Sequence, residues 1–269
     1  MQPSPAEVAR TLAAGRLAGT AYVANHPGPH RTRHVTDALG RVLLLVSVVD
    51  DLALALRPEP GTDDTALVLD VRDLPPAAGS PALGRVWISG WAALLEGAEA
   101  RQAALDYADV DPTGDLLDVG GRFALYRFEP AEVRLERDAD TIHIDPAEYG
   151  AAEPDPLHHL ERELLEDLAD HHQSEIAEFV LRQLGESAAR HRSGPSPRVV
   201  RLDRYGFVVM LGEPGSRYRA RLAFPRPVRD HADLVQLLHP VLWPTRHAPI
   251  AGLSPAEPNS AEASPAGPN

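Results

Sequence analysis

The sequence predicts an α+β protein in which a closed or split β-barrel precedes a C-terminal helix and a three-stranded antiparallel sheet. Six or more short segments with strand-like alternation, separated by turn residues, fill the first part of the chain. The last third changes to a long helical pattern that is followed by three further strand patterns. We expect a barrel domain over 1–150, an α+β domain over 155–245, and a disordered tail over 248–269.

The first element is a helix that begins after Ser4, a residue typical of the N-cap, and has Pro5 in its first position. This helix should end near Gly15. Two short helices, over 50–57 and 99–107, are expected between the strands of the barrel. Strand patterns with turn residues between them cover 17–24, 30–36, 41–48, 65–71 and 85–94.

The barrel pattern closes with two late strands over 123–128 and 133–135 and a short one over 141–144. Residues 145–156 form a polar, proline-containing connector. Residues 157–184 then carry apolar side chains at helical spacing. After a flexible loop at 187–197, the pattern predicts strands and a closing helix over 199–202, 207–211, 218–222 and 230–238.

The composition excludes several classes of function. The chain has 269 residues, a net charge of -13 and no cysteine, and all 26 of its basic residues are arginine. Disulfides, thiolate nucleophiles, Fe–S clusters and cysteine-based zinc sites are therefore absent. The acidic balance argues against general nucleic-acid binding. The longest apolar run, 42–49, is too short to span a bilayer, and we expect no membrane association and a cytoplasmic location.

Three segments of the last third carry a family resemblance: 170–175 (Asp-His-His-Gln-Ser-Glu), 201–207 (Arg-Leu-Asp-Arg-Tyr-Gly-Phe) and 221–228 (Arg-Leu-Ala-Phe-Pro-Arg-Pro-Val). In this order they resemble the C-terminal domain of unknown function in HugZ-type haem-utilisation proteins and in the plant protein that binds glutamyl-tRNA reductase. The resemblance covers about residues 157–243. The positions that match the family's pattern are His172, Asp203 and Gly206, while His171 stands where most members have an acid.

The first half resembles a divergent, actinobacterial-type split barrel of the pyridoxamine-phosphate-oxidase and flavin-reductase class. In flavin-binding relatives, a helix start after the third strand supplies Ser or Thr and Arg or Lys to the flavin phosphate. The chain offers only Ser47 and Arg57 there, and Asp50 and Asp51 would repel a phosphate. We therefore expect FMN not to bind.

The histidines are the best remaining candidates for chemistry. The resemblance implies haem as a possible cofactor, and His172, His239 and His247 are the candidate iron ligands. Alternatively, His172 is a proton shuttle, a ligand for another metal or a structural residue of its helix, and His247 is an exposed residue of the tail. His26, His30 and His34 are expected in a polar hairpin tip.

Three functions stay open. The first is a split-barrel protein without flavin chemistry that binds haem, another tetrapyrrole or a protein of that pathway. The second is an FMN-dependent oxidoreductase, and the third is a non-catalytic dimeric scaffold. Because split barrels usually pair through their sheets, the resemblance also implies a homodimer. No catalytic residue and no metal site is assigned from the sequence.

Overall fold

Seven antiparallel strands form one sheet that closes on itself in a computed structural model of the chain, which describes residues 1–184, 195–212 and 217–243. The strand order is β3-β2-β1-β4-β5-β6-β7, and pairing of β3 with β6 closes a six-stranded barrel that β7 extends. The strands are β1 Gly19–Val23, β2 His30–Thr36, β3 Val42–Ser47, β4 Asp64–Arg72, β5 Arg85–Leu94, β6 Phe123–Arg137 and β7 Asp140–Ile144. The predicted fold class is confirmed.

Helices close and cover this barrel. Ser4 caps the first helix through a capping box, since its hydroxyl accepts from the Glu7 N–H and the Glu7 carboxylate accepts from the Ser4 N–H. The apolar face of this helix packs into the barrel core through Val8 and Leu12. The helices are α1 Pro5–Ala13, α2 Asp51–Ala55, α3 Gly97–Val110, a 3-10 helix Gly114–Asp118 and α4 Pro146–Ala151.

A second apolar core lies in the last third of the chain, where helices pack on one face of a three-stranded sheet. Phe207, Val209 and Leu211 alternate along the central strand and point into this core. The elements are α5 Glu161–Asp170, α6 Gln173–Leu184, β8 Arg198–Asp203, β9 Gly206–Leu211, β10 Tyr218–Ala223 and α7 His231–Leu242. The division at 155 stays a prediction, and the predicted tail, His247 and most of the predicted loop lie outside the described residues.

Three sequence-based predictions of elements were wrong. The two late strands are one strand, β6, because Pro130 lies opposite Gly90 at a bulge that the pairing with β5 tolerates. The connector contains α4, whose start is marked by Asp145 as N-cap and Pro146. The helical pattern over 157–184 begins with turns and then divides into α5 and α6.

One buried arginine joins the two cores. Arg201 of β8 donates to both carboxylate oxygens of Asp73, at 2.9 and 3.2 Å, in the loop after β4. Its Nε lies 3.3 Å from the Glu161 carboxylate of α5, and that carboxylate also accepts from the Leu202 N–H at 2.9 Å. All three charged side chains are buried. We call Arg201, Asp73 and Glu161 the arginine clamp.

The loop between β4 and β5 covers the outer edge of the second sheet. The Ser80 hydroxyl donates to the Val200 carbonyl oxygen at 2.6 Å. The Arg198 guanidinium donates to the Ala78 carbonyl oxygen at 2.8 Å. These bonds occupy one backbone carbonyl group and one side chain of β8.

His34 departs from the predicted polar hairpin tip. Its ring is buried inside the barrel, and neither ring nitrogen has a hydrogen-bond partner among the described residues. Gly19 leaves room for this ring, since a Cβ there would lie 2.7 Å from Nδ1. Burial lowers the pKa of His34 to about 4, so the imidazole is neutral at pH 7.

Candidate functional site

The candidate site begins at the break between α5 and α6. His171 ends α5, and the His172 carbonyl oxygen accepts from the Ile176 N–H at 3.0 Å at the start of α6. The His171 ring lies 3.1 Å from the Asp167 carboxylate and is exposed. The two adjacent histidines therefore have different surroundings, because His172 is half-buried and its ring contacts α7 instead.

Trp243, at the end of α7, lies between two of the three predicted haem ligands. The centroid of its ring is 5.0 Å from that of His172, in an edge-to-face arrangement. The ring of His239 is 5.4 Å away at an interplanar angle of 35°. The Trp243 side chain is 50% exposed, and His239 is exposed. We call His172, His239 and Trp243 the histidine–tryptophan cluster.

The position of α7 depends on two carboxylates at its start. The Asp230 side chain caps the helix by accepting from the Asp233 N–H. Asp233 in turn accepts two hydrogen bonds from the Arg226 guanidinium, at 2.6 and 2.5 Å. Arg226 and the Arg229 N–H hold the pKa of Asp233 well below its usual range. These contacts fix one end of the helix whose other end carries His239 and Trp243.

The cluster has the residue types that a flat, metal-containing aromatic ligand requires. Neutral imidazoles are ligands for haem iron, and an exposed indole offers a face for stacking. No described residue forms a hydrogen bond with the ring of His172 or His239, so no such bond competes for their nitrogens. The donor set therefore fits haem.

The other two residues that match the family pattern shape a hairpin. The Asp203 carboxylate accepts from the Tyr205 N–H at 2.8 Å and from Arg221 at 2.6 Å. Gly206 has φ +154°, and a Cβ there would lie 2.1 Å from the Leu222 carbonyl oxygen. Asp203 and Gly206 thus hold the turn between β8 and β9, and neither belongs to the histidine–tryptophan cluster.

The two predicted flavin-phosphate residues lie at opposite ends of a short segment. Ser47 is half-buried at the end of β3, opposite Phe123. Arg57 is exposed just beyond α2. Between them, Asp50 and Asp51 are exposed at the start of α2, and the Asp50 side chain forms no capping hydrogen bond. The start of this helix therefore presents two carboxylates where a phosphate would need donors.

Sequence reasoning missed Trp243 and the arginine clamp. Trp243 follows the predicted closing helix, which in fact continues past Pro240 to Leu242. Nothing in the local pattern indicates that this indole contacts His172, at the break between α5 and α6. The partner of Arg201 is equally distant, since Asp73 lies 128 residues earlier.

The described residues contain neither a membrane-spanning helix nor a cluster of metal-ligating side chains. None of the helices within residues 1–184, 195–212 and 217–243 is long and apolar enough to cross a membrane. In the same part of the chain, no group of three or more His, Asp or Glu side chains is placed to hold a metal ion.

Comparison with known proteins supports the fold. No protein-family model and no curated protein matches the chain. The chain is similar to the solved structure of a haem-binding protein from Mycobacterium smegmatis, with a TM-score of 0.63 and 22% identity over 90% of this chain and 98% of that one.

Two further solved structures resemble about half of the chain. An FAD-binding protein from Mycobacterium smegmatis has a TM-score of 0.35 and 12% identity over 49% of this chain and 93% of that one. A protein of the pyridoxinephosphate oxidase family from Clostridium acetobutylicum, related to general stress protein 26, has a TM-score of 0.34 and 13% identity over 49% and 87%. The likenesses concern the fold.

Proposed function

We propose that the protein binds haem or a related tetrapyrrole at the histidine–tryptophan cluster and has no flavin chemistry. The observation that carries the proposal is that His172, at the break between α5 and α6, and His239 of α7 both lie against the half-exposed ring of Trp243. The overall likeness to the haem-binding protein from Mycobacterium smegmatis is consistent with it.

The residues of the cluster have separate roles in this proposal. His172 or His239 ligates the iron through a neutral ring nitrogen, and Trp243 packs against the flat ring system. Arg226 and Asp233 keep α7 in place at its opposite end. When bound, haem supplies a redox-active iron, and the role that we propose for the cluster is binding.

The test is a titration of the purified protein with haemin, followed at the Soret band. We expect a saturable Soret shift that His172→Ala or His239→Ala abolishes or moves. Trp243→Leu should weaken binding roughly tenfold while keeping the position of the band, since the stacking contact is lost and the ligand is retained. His26→Ala is the matched control, because His26 is exposed in the loop after β1.

Two results would contradict the proposal. One is the absence of a Soret shift in the wild type. The other is a shift that both single variants of the cluster leave unchanged. If His247→Ala alone removes the shift, the ligand lies in the part of the chain outside the described residues and the cluster is not the iron site. An FMN titration followed by flavin fluorescence tests the flavin alternative, and we expect no quenching.

We also infer that the protein is a homodimer joined through the outer face of β1, β4 and β5. This face has an apolar groove of about 490 Å³ lined by aromatic and small side chains, with Tyr22 and Trp91 partly exposed. Trp87 lies beside it, with Tyr22 at 6.0 Å and the Arg85 guanidinium stacked at 3.9 Å. A second copy would cover an apolar surface that is unusual on a chain of net charge -13.

Sedimentation of wild type and Trp91→Glu tests the dimer. We expect a dimer at micromolar concentration and a monomer for the variant, whereas Leu105→Glu, at an exposed position on α3, should remain a dimer. A monomeric wild type would contradict the inference.

The scaffold alternative, a protein partner of the tetrapyrrole pathway and the cytoplasmic location stay predictions.

A further inference from the structure

A cavity of about 610 Å³ lies beyond the end of β5. It is bounded by the first turns of α3, the 3-10 helix, the end of β5 and the beginning of β6. Its volume is within the usual range for small-molecule sites, about 300–1,000 Å³. Because no histidine lines it, this cavity is separate from the histidine–tryptophan cluster.

The side chains of the described residues that line the cavity are mostly apolar, although much of its exposed surface is polar. Val48, Leu94 and Phe123 line it, together with Leu117 of the 3-10 helix. Leu117 is 90% exposed, and Val48 and Leu94 are each 45% exposed. Large apolar side chains that face solvent together in one concave surface indicate a surface that is covered by a ligand or partner.

The charged side chains of the lining restrict the chemical class of the ligand further. Among the described residues, the only polar side chains that line the cavity are those of Glu96 and Arg101. Arg101 is exposed and forms no ion pair among the described residues. A molecule with an apolar part and a single anionic group would match the apolar side chains of the lining and the Arg101 guanidinium.

We propose that this cavity binds an amphipathic monoanion, an aliphatic chain that ends in a carboxylate. The chain lies along Val48, Leu94, Leu117 and Phe123, and Arg101 pairs with the carboxylate at the rim. The Glu96 carboxylate repels the carboxylate of the ligand and so limits the affinity. The proposal does not depend on haem binding.

The test uses 11-(dansylamino)undecanoic acid as a fluorescent probe on the full chain, with dodecanoate, dodecan-1-ol and dodecyltrimethylammonium as competitors. We expect saturable enhancement of the dansyl emission, displaced best by dodecanoate. Arg101→Gln should weaken dodecanoate binding roughly five- to tenfold with little effect on dodecan-1-ol, and Glu96→Gln should strengthen dodecanoate binding. Leu117→Asp should abolish probe binding without loss of folding, because this side chain is almost fully exposed.

Matched controls are Arg72→Gln and Leu74→Asp, which change exposed residues that do not line the cavity. The proposal is overturned if the probe does not bind, if Arg101→Gln and Arg72→Gln have equal effects, or if the alcohol and the carboxylate compete equally. Displacement by FMN or haemin but not by dodecanoate would also overturn it. Finally, a change of oligomeric state in Leu117→Asp would show that a second copy covers the cavity instead.

Discussion

Two buried ionisable side chains, one in the barrel and one where the C-terminal region meets it, are accommodated in opposite ways. Inside the barrel, His34 is buried with no hydrogen-bond partner for either ring nitrogen. Where the C-terminal region meets the barrel, Arg201 is buried between two carboxylates. An unpartnered group can be buried only in its neutral form, whereas a paired charge can stay ionised. The two regions should therefore respond differently both to mutation and to acid.

The largest expected effect comes from removing Arg201. Arg201→Met leaves the buried carboxylates of Asp73 and Glu161 without their counter-charge, so we expect a loss of about 3–5 kcal/mol in the free energy of unfolding. Urea denaturation at pH 7 measures it. The double variant Arg201→Met with Asp73→Leu should recover part of the loss, because one of the unpaired carboxylates is gone.

Arg198→Met is the control for this prediction, since Arg198 is exposed and donates to a backbone carbonyl oxygen instead of an acid. Its expected cost is below about 1 kcal/mol. Similar losses for the two arginines would show that the clamp does not hold the regions together.

Acid should affect the two regions with opposite sign. His34 has a pKa of about 4 in the folded protein, below the 6.5 of an ordinary histidine. Between these pH values the unfolded chain binds the extra proton, so acidification destabilises the fold by up to about 3 kcal/mol. Burial raises the pKa of Asp155, near the arginine clamp, from 3.8 to about 6. Here the folded protein binds the extra proton, so acidification from pH 6 to 4 stabilises it.

Stability measured from pH 7 to 4 in single variants separates the two contributions. His34→Leu should lose less stability on acidification than the wild type, and Asp155→Asn should lose more. His26→Ala, which changes an exposed histidine, should follow the wild-type curve. If His34→Leu has the same pH dependence as the wild type, the buried imidazole is not the acid-sensitive group of the barrel.

A smaller effect is expected from Gly19→Ala. The added Cβ would lie 2.7 Å from Nδ1 of His34 and 2.8 Å from Cδ1 of Leu69, so the packed core must shift. We expect a cost of about 1–3 kcal/mol in thermal or urea unfolding. Gly114→Ala is the control, because a Cβ there meets nothing within 4 Å. Combining Gly19→Ala with His34→Ala should cost less than the sum of the two single changes.

The smallest effect tests the capping box at the start of the chain. Ser4→Ala removes the hydroxyl that accepts from the Glu7 N–H, and it should cost about 1 kcal/mol. Glu7 also accepts a hydrogen bond from the Tyr205 hydroxyl, which joins α1 to the hairpin between β8 and β9. Glu7→Ala should therefore cost more than Ser4→Ala. Equal costs would mean that the bond to Tyr205 adds nothing to stability.

The sequence predicted most of the fold because its signals are local. Alternation gave β2 and β5 with the bounds that the structure shows, and Ser4 with Pro5 marked the start of α1. Pro130 was misleading because a bulge accommodates it inside β6. The helix α4 was missed although its N-cap signal was present, since residues 145–156 were judged by their polar composition.

The candidate site was less predictable because its contacts are not local. His172 and His239 could be named as histidines of interest, but their common contact with Trp243 depends on the packing of α6 against α7. His34 was expected in a polar hairpin tip, although strand alternation places it on the inward side of β2. Its burial follows from closure of the barrel, which no short window of sequence encodes.

The loop that joins β4 to β5 also bears on how the protein avoids self-association. A three-stranded sheet has two edges, and an uncovered edge is a template on which another chain can add a strand. Ser80 and Arg198 tie that loop over the β8 edge. The β10 edge instead carries an exposed charge, that of Arg219. Pairing of this edge with the same edge of a second copy would bring like charges together, which disfavours it. Shortening the loop would thus be expected to convert a covered edge into an aggregation site, even if both cores remained intact.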